Sequence, residues 1–135
     1  MSDCIFCKII AGEISTYKVY EDDDVLAFLD VTPVNPGHTL VVPKKHYNNL
    51  LDLPETEASK LISIIKKITP AVLAGVGADG FNLELNNGVV SGQVVSHVHW
   101  HIVPRLAGDG RELWHGRSYD EGEAEEVLKK IKSKI

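Results

Sequence analysis

Three histidines alternate with large apolar residues in the segment His97-Val98-His99-Trp100-His101-Ile102-Val103. Side chains on a β-strand point to its two faces in turn. The segment therefore predicts a strand with three imidazoles on one face and Val98, Trp100 and Ile102 on the face toward a core. Imidazole titrates near neutral pH and can act as nucleophile, acid, base or metal ligand. We predict a functional site on the histidine face.

The bulk composition is that of an ordinary globular protein. With 135 residues, 44% hydrophobic and 24% charged, the chain is expected to form a single domain spanning residues 1–135. A net charge of −5 argues against a nucleic-acid partner, which needs a basic surface. The sequence has no apolar run of membrane-spanning length and no signal-peptide pattern at its start, so we expect no membrane partner and a cytoplasmic location. Cys4 and Cys7 would be reduced there.

The elements that must position the histidines follow from the apolar patterns. The segments 18–20 and 25–29 flank an acidic turn and predict a hairpin, and residues 38–42 and 81–86 predict two further strands. A helix opens at Pro54-Glu55, with an expected kink or early end at Pro70, and residues 124–131 predict a short amphipathic helix. Short connections favour an antiparallel sheet. The predicted fold class is α+β, with a five-stranded antiparallel sheet, one long helix and one or two short helices.

A glycine motif in this chain does not predict a nucleotide site. Gly75-Val76-Gly77-Ala78-Asp79-Gly80 has the letters of the dinucleotide fingerprint, but that fingerprint follows a strand and opens a helix. Here the glycines follow a helix and precede a strand. We interpret them as a helix C-cap and a turn.

Taken together, these residues resemble the histidine-triad (HIT) superfamily, and in particular its branch of small bacterial hydrolases. The likeness covers nearly the whole chain. It is carried by the segments Ile5-Phe6-Cys7-Lys8-Ile9-Ile10, Asp30, Pro36 to His46, Asn86-Asn87-Gly88, Gly92-Gln93 and His97 to Arg105.

The resemblance implies a HIT-like fold and a nucleotide hydrolase. Its implied assembly is a homodimer whose two five-stranded sheets join into one ten-stranded sheet. Each subunit would bind a nucleoside monophosphate unit, commonly a purine, and cleave the bond from its α-phosphorus to an amine, an adenylated lysine or another phosphate. His101 resembles the hydrolase branches, since related sugar-1-phosphate transferases carry Gln at that position.

The resemblance also implies roles for single residues. His99 corresponds to the nucleophile that would form a nucleotidyl-histidine intermediate, and His101 is expected to contact the α-phosphate. His97 completes the triad, and His38 is expected to orient it or share a proton with it. Asp30 is expected to accept hydrogen bonds from the ribose hydroxyls. The further expected nucleotide contacts are the phosphate-side residues Asn86, Gly92, Gln93 and Val94 and the base-side residues Ile5, Phe6, Ile9, Phe28 and Val31. Several relatives carry Ser or Thr where Val94 stands, so this chain has no hydroxyl at that position to deliver a proton to an amine leaving group.

A zinc site is the expected cofactor. Cys4-x-x-Cys7 alone is a weak motif, compatible with redox chemistry or with two unliganded thiols. The resemblance pairs it with His46 and His97, and two thiolates with two imidazoles form a closed tetrahedral shell typical of structural Zn²⁺.

Two rival hypotheses stay open at this point. In one, the histidines hold a catalytic zinc whose bound hydroxide is the nucleophile. In the other, the chain is a nucleotide-binding regulatory or scaffold module whose hydrolysis is only incidental.

Overall fold

The computed structural model describes residues 3–135 and has the predicted α+β class. It contains one long and two short helices, as expected, and five strands. In chain order these are α1 Ile5–Ile10, β1 Lys18–Glu21, β2 Val25–Leu29, β3 Thr39–Pro43, α2 Glu55–Val76, β4 Gly80–Leu85, β5 Trp100–Arg105 and α3 Glu123–Lys132.

The strands form one sheet in the order β1-β2-β3-β5-β4, and every neighbouring pair is antiparallel. The five-stranded antiparallel sheet is therefore confirmed. β4 lies at one edge, with β5 as its only neighbour within the described residues. Continuation of the sheet into a second copy stays a prediction.

The two faces of the sheet are covered by different helices. α2 packs on one face through Leu61, Ile65 and Ile68, which meet Val98, Trp100 and Ile102 in the main core. Fully burying one such side chain contributes about 1.5–3 kcal/mol, so this apolar half of the alternating pattern fixes the strand's orientation. α1 covers part of the opposite face, where its buried side chains pack with those of β2 and β3: Phe6, Ile9, Leu26, Phe28, Leu40 and Val42. The histidines lie on the α1 face.

The histidine strand is shorter than predicted. β5 begins at Trp100, so His97 and His99 precede it. The ladder with β4 ends at the pair Leu85 and Trp100, and the Val98 N–H instead donates to the Tyr47 carbonyl at 2.7 Å. The alternation of faces nevertheless continues back to His97, because Val98 is buried in the α2 core.

α2 does not end early at Pro70 but continues to Val76. Proline removes the hydrogen bond to the carbonyl four residues earlier, that of Lys66. Both residues are on the exposed side of the helix, where water can satisfy that carbonyl. The predicted glycine cap is confirmed, since Gly77 ends α2 in the left-handed region at φ 68°. Across residues 3–135, no helix has the length and apolarity needed to cross a membrane.

Candidate functional site

The ring of His99 is buried and has one nitrogen fixed by the backbone. Its Nδ1 lies 2.7 Å from the carbonyl oxygen of His97, and a carbonyl only accepts. Nδ1 therefore carries the proton, and Nε2 keeps a free lone pair. Burial lowers the pKa of His99, so the neutral form persists around neutral pH. This is the tautomer and charge state that a nitrogen nucleophile requires.

A chain of hydrogen bonds fixes the protons on the next two histidines. The Val34 N–H donates to His38 Nδ1 at 3.0 Å, so the His38 proton is on Nε2. His38 Nε2 lies 2.9 Å from His101 Nδ1 and donates to it, which places the His101 proton on Nε2. Burial, with the neighbouring His99 and His38, lowers the pKa of His101 to about 4. His101 is thus a neutral hydrogen-bond donor, 4.9 Å from His99 between ring centroids.

A cavity of about 410 Å³ opens beside His99 and His101. Most of the residues expected around a nucleotide line it: Ile5, Phe6, Ile9, Phe28, Asp30, Val31, Gly92 and Val94. Sequence reasoning missed six further wall residues: Ile14, Ser15, Thr16, Leu29, Thr32 and Leu40. Val95, next to the predicted Val94, lines the cavity as well. The register of β2 and β3 pairs Leu40 with Phe28, so the strand pattern could have predicted Leu40 as a wall residue. The cavity has a largely apolar wall with histidines and one carboxylate, which suits a flat base joined to a polar group.

Asp30 supplies that carboxylate at the end of β2. Its Oδ1 accepts hydrogen bonds from the backbone N–H and the hydroxyl of Thr32 at 2.9 and 3.2 Å. Its Oδ2 lies 3.7 Å from His38 Nε2, beyond a direct hydrogen bond. An oxygen in this position can accept hydrogen bonds from hydroxyls of a ligand in the cavity.

Two predicted contacts, Asn86 and Gln93, do not line this cavity. The Gln93 side chain joins two loops: its Oε1 accepts from the Gly88 N–H of its own loop at 2.8 Å, and its Nε2 donates at 2.6 Å to the carbonyl of Asn48, between β3 and α2. Gln93 therefore shapes the loop that carries Gly92. The Asn86 amide lies against Gly92, whose φ of +101° suits glycine. Any contact of Asn86 with a ligand stays a prediction.

The thiols of Cys4 and Cys7 lie close to the imidazoles of His46 and His97, on the side of Phe6 away from His99. Cys4 Sγ lies 3.5 Å from His97 Nδ1, and Cys7 Sγ lies 3.6 Å from the same atom and 3.4 Å from His46 Nδ1. All four ligating atoms lie within 4.8 Å of one another. A tetrahedral zinc with ordinary bond lengths requires S···N separations of about 3.5 Å. The four predicted ligands are therefore brought together in a geometry that fits Zn²⁺.

The surroundings of these four residues also fit a metal. The second nitrogen of each imidazole faces an oxygen: His97 Nε2 lies 2.8 Å from the Pro43 carbonyl, and His46 Nε2 lies 3.4 Å from Asn48 Oδ1. Such contacts leave Nδ1 unprotonated and orient the ring toward a metal. Burial raises the pKa of the Cys7 thiol, with a further rise from the adjacent Cys4. A thiol of this kind ionises most readily beside a cation.

His97 contributes to two parts of the structure through different groups, and its predicted catalytic role stays a prediction. Its side chain belongs to the Cys4–Cys7 cluster and does not line the nucleotide-sized cavity, whereas its backbone carbonyl holds His99. Phe6 lies between the two groups, with ring centroids 5.9 Å from His97 and 5.0 Å from His99. The cluster and the cavity thus share α1 as a common wall.

The described residues contain a second group of possible metal ligands, Asp30, His38 and His101. Its two imidazoles are hydrogen-bonded to each other at 2.9 Å, and this bond uses the nitrogens that a metal would need. This geometry favours a hydrogen-bond relay over a catalytic metal.

A family model and several known proteins match the sequence of this chain. The family model described as the HIT domain matches residues 11–108. An uncharacterized HIT-like protein of Methanocaldococcus jannaschii is 54% identical over 96% of this chain and 98% of its own. An adenylylsulfatase of Arabidopsis thaliana is 44% identical over 87% of this chain and 58% of its own. An adenosine 5′-monophosphoramidase of Schizosaccharomyces pombe is 40% identical over 76% of this chain and 74% of its own.

Solved structures share the fold over the full length. A Streptococcus mutans protein superposes with a TM-score of 0.92 at 43% identity, covering 100% of this chain and 87% of that one. A zinc-bound histidine triad family protein of Mycobacterium smegmatis superposes with a TM-score of 0.78 at 33% identity, covering 99% of both chains. The fold expected from the sequence is therefore confirmed.

Proposed function

Because the chain belongs to the HIT family, we propose that it is a nucleotide hydrolase acting at the α-phosphorus of a nucleoside 5′-monophosphate unit. Its substrates are nucleoside 5′-phosphoramidates, adenylated amines or dinucleoside polyphosphates, and a purine base occupies the apolar cavity. The observation that carries the proposal is the state of His99: buried, neutral and held by a carbonyl so that Nε2 is free at the cavity. The named activities of two relatives, a phosphoramidase and an adenylylsulfatase, are of the same reaction class.

The proposed reaction has two steps. His99 Nε2 attacks the α-phosphorus, and the bond to the leaving group breaks with its electron pair remaining on the leaving atom. A leaving amine then takes up a proton. Water then attacks the nucleotidyl-histidine and loses a proton to the solvent, and the electron pair of the breaking N–P bond returns to Nε2. This step releases the nucleoside monophosphate and regenerates neutral His99. The His97 carbonyl stabilises the positive charge that forms on the ring during attack.

The neighbouring histidines stabilise the phosphate during these steps. His101 donates its Nε2–H to an α-phosphate oxygen, where charge builds up as the nucleophile attacks. His38 holds His101 in this tautomer through the bond at 2.9 Å. Val94 offers no hydroxyl near the leaving group, so phosphoramidates depend on the histidines or on water for the proton of the leaving amine.

We also propose that Cys4, Cys7, His46 and His97 hold a structural Zn²⁺. A bound ion would cross-link the start of the chain to the segment before β5, and thereby fix α1 against the cavity. The carbonyl of His97 holds His99, so the same cross-link positions the nucleophile. Chelation separates this role from a catalytic metal. Loss of fold together with activity supports a structural ion, whereas rapid, reversible loss of activity in a folded protein contradicts it.

The proposed assembly is a homodimer joined through β4. This strand has a free edge within the described residues, and Phe81 and Leu83 expose apolar side chains beside it. Free edges of this kind pair readily with a second copy. Light scattering of the purified protein is expected to give twice the mass of the chain, and a monomer at micromolar concentration would contradict the proposal.

A substrate panel tests the proposed function. Adenosine 5′-phosphoramidate, adenylated lysine, a diadenosine polyphosphate and adenylyl sulfate are supplied separately, and release of AMP is followed. Saturable turnover of at least one is expected. Tight binding of AMP with no turnover of any compound would instead favour the regulatory or scaffold module.

The pH dependence is expected to reflect the low pKa of His101. An unperturbed imidazole titrates near 6.5, but burial lowers the pKa of His101 to about 4. A lowered pKa extends the neutral form to lower pH, so kcat/KM is expected to stay flat from about pH 8 to 6 and to fall only below about 5. The measurement uses a dinucleoside polyphosphate, whose internal phosphates do not titrate in this range. A midpoint at or above pH 6.5 would show that burial does not lower the pKa of His101 as described.

The substitution Asp30→Asn is expected to weaken AMP binding by about tenfold or more, since hydrogen bonds to a charged acceptor are worth about 1.5–3 kcal/mol. Isothermal titration calorimetry measures the effect. The matched ligand is 2′,3′-dideoxyadenosine 5′-monophosphate, which lacks both hydroxyls and should bind the variant and the wild type equally. An equal loss for both ligands would mean that Asp30 acts through the structure of the loop instead of the ribose.

A further inference from the structure

A second cavity adjoins the first at His101. It has a volume of about 490 Å³, and its walls are His38 and His101 on one side, β4 and β5 beneath, and residues 111–114 on the outside. His101 lines both cavities. If a substrate places its base in the first cavity and its α-phosphate at His101, its leaving group can therefore reach the second cavity.

Glu84 is the carboxylate at the inner wall of this second cavity. It lies directly opposite His101 in the antiparallel register of β4 and β5, so both side chains project from the same face. Side chains of such cross-strand pairs are about 4.5–5.5 Å apart at Cβ. The negative field of Glu84 reaches His38, because it opposes the fall in the pKa of His38 that burial causes.

The charge of Glu84 is not neutralised by an ion pair within residues 3–135. Arg105 also lines this cavity, and Glu84 is one of the charges that raise its pKa, but its guanidinium is hydrogen-bonded to Asp109, Asn82 and the Arg111 carbonyl. Arg111 belongs to the outer wall of the cavity and is exposed to solvent, which screens its charge. Glu112 also belongs to the outer wall, and its side chain is 84% exposed. Glu84 is therefore the half-buried, unpaired charge beside His101.

We propose that Glu84 selects the leaving group by charge, favouring amines that carry a further positive charge over anionic leaving groups such as carboxylated amines, sulfate or nucleotides. The inference rests on the proposed hydrolase function and deepens it. A cation in the second cavity is attracted by Glu84, whereas an anion there is repelled in a partly desolvated setting where charges act strongly. Glu84 has no part in the bond-breaking step, in which the P–N electron pair passes to nitrogen.

Three adenosine 5′-phosphoramidates of equal leaving-group length test the proposal: those of butylamine, 1,3-diaminopropane and β-alanine. Their distal groups are neutral, cationic and anionic. We expect the wild type to favour the cationic over the anionic compound by about fivefold or more in kcat/KM. In Glu84→Gln, which keeps the shape and removes the charge, the ratio should fall toward one while the neutral compound changes less than about twofold.

Glu126→Gln is the matched control, because it removes the same charge from an exposed position of α3 that lines neither cavity, and it should keep the wild-type ratio. The dissociation constants of the three compounds are measured in parallel, so that the charge preference is read even where cleavage is slow. Failure to cleave the neutral compound counts against the proposed hydrolase function. An unchanged cation-to-anion ratio in Glu84→Gln, in both turnover and binding, overturns the present inference alone.

Discussion

Replacing His99 with alanine is expected to lower turnover by at least about 10⁴-fold, because removing a catalytic nucleophile typically has effects of this size. AMP affinity should stay within about threefold of wild type, since the apolar walls and Asp30 remain in place. Turnover is measured on the best compound of the substrate panel, and affinity is measured by calorimetry. A rapid quench at alkaline pH with α-labelled substrate should trap label on the wild-type protein and none on the variant.

Two further variants make this result specific. His99→Asn retains a donor at the position of Nδ1 for the His97 carbonyl and should be equally inactive, which separates loss of the nucleophile from loss of that hydrogen bond. His115→Ala is the matched control, because the side chain of His115 is 83% exposed, and it should keep full activity. Turnover of His99→Ala within tenfold of wild type would contradict the covalent mechanism.

Replacing His46 with alanine is expected to remove zinc and to destabilise the fold. Wild-type protein should contain about one zinc per chain. Without a ligand, the cross-link between α1 and the segment before β5 is lost, and the free energy of unfolding should fall by about 3 kcal/mol or more. For a domain of this size that corresponds to a drop of about 10 °C in the midpoint of thermal unfolding. Elemental analysis and calorimetry measure the two effects.

The comparison again uses His115→Ala, which makes the same change at an exposed imidazole away from the cluster and should keep both zinc and stability. AMP affinity of His46→Ala is also expected to fall, because α1 carries Ile5, Phe6 and Ile9 of the cavity wall. Less than one zinc per two wild-type chains after reconstitution would contradict the metal site. So would a His46→Ala protein as stable as wild type.

The local patterns of the chain were sufficient for most of the fold. Alternating Val98, Trp100 and Ile102 had to face a core, and helical spacing in α2 supplied the opposing surface. Glycine at position 77 predicted the end of that helix correctly. Pro70 misled, because the pattern did not show that it falls on the solvent side, where a lost hydrogen bond can be replaced by water.

The sequence by itself determined the residue types of the site, namely the alternating histidines, the cysteine pair and the carboxylate after β2. Only the tertiary structure decided how they are divided. It places the His97 ring with Cys4 and Cys7 while its carbonyl fixes His99, and it orders the protons of His38 and His101 through the Val34 amide. The physical reason is that faces and helical turns follow from local periodicity. Hydrogen-bond partners and shared cavities depend on residues up to 93 positions apart, which meet only when strands and loops pack.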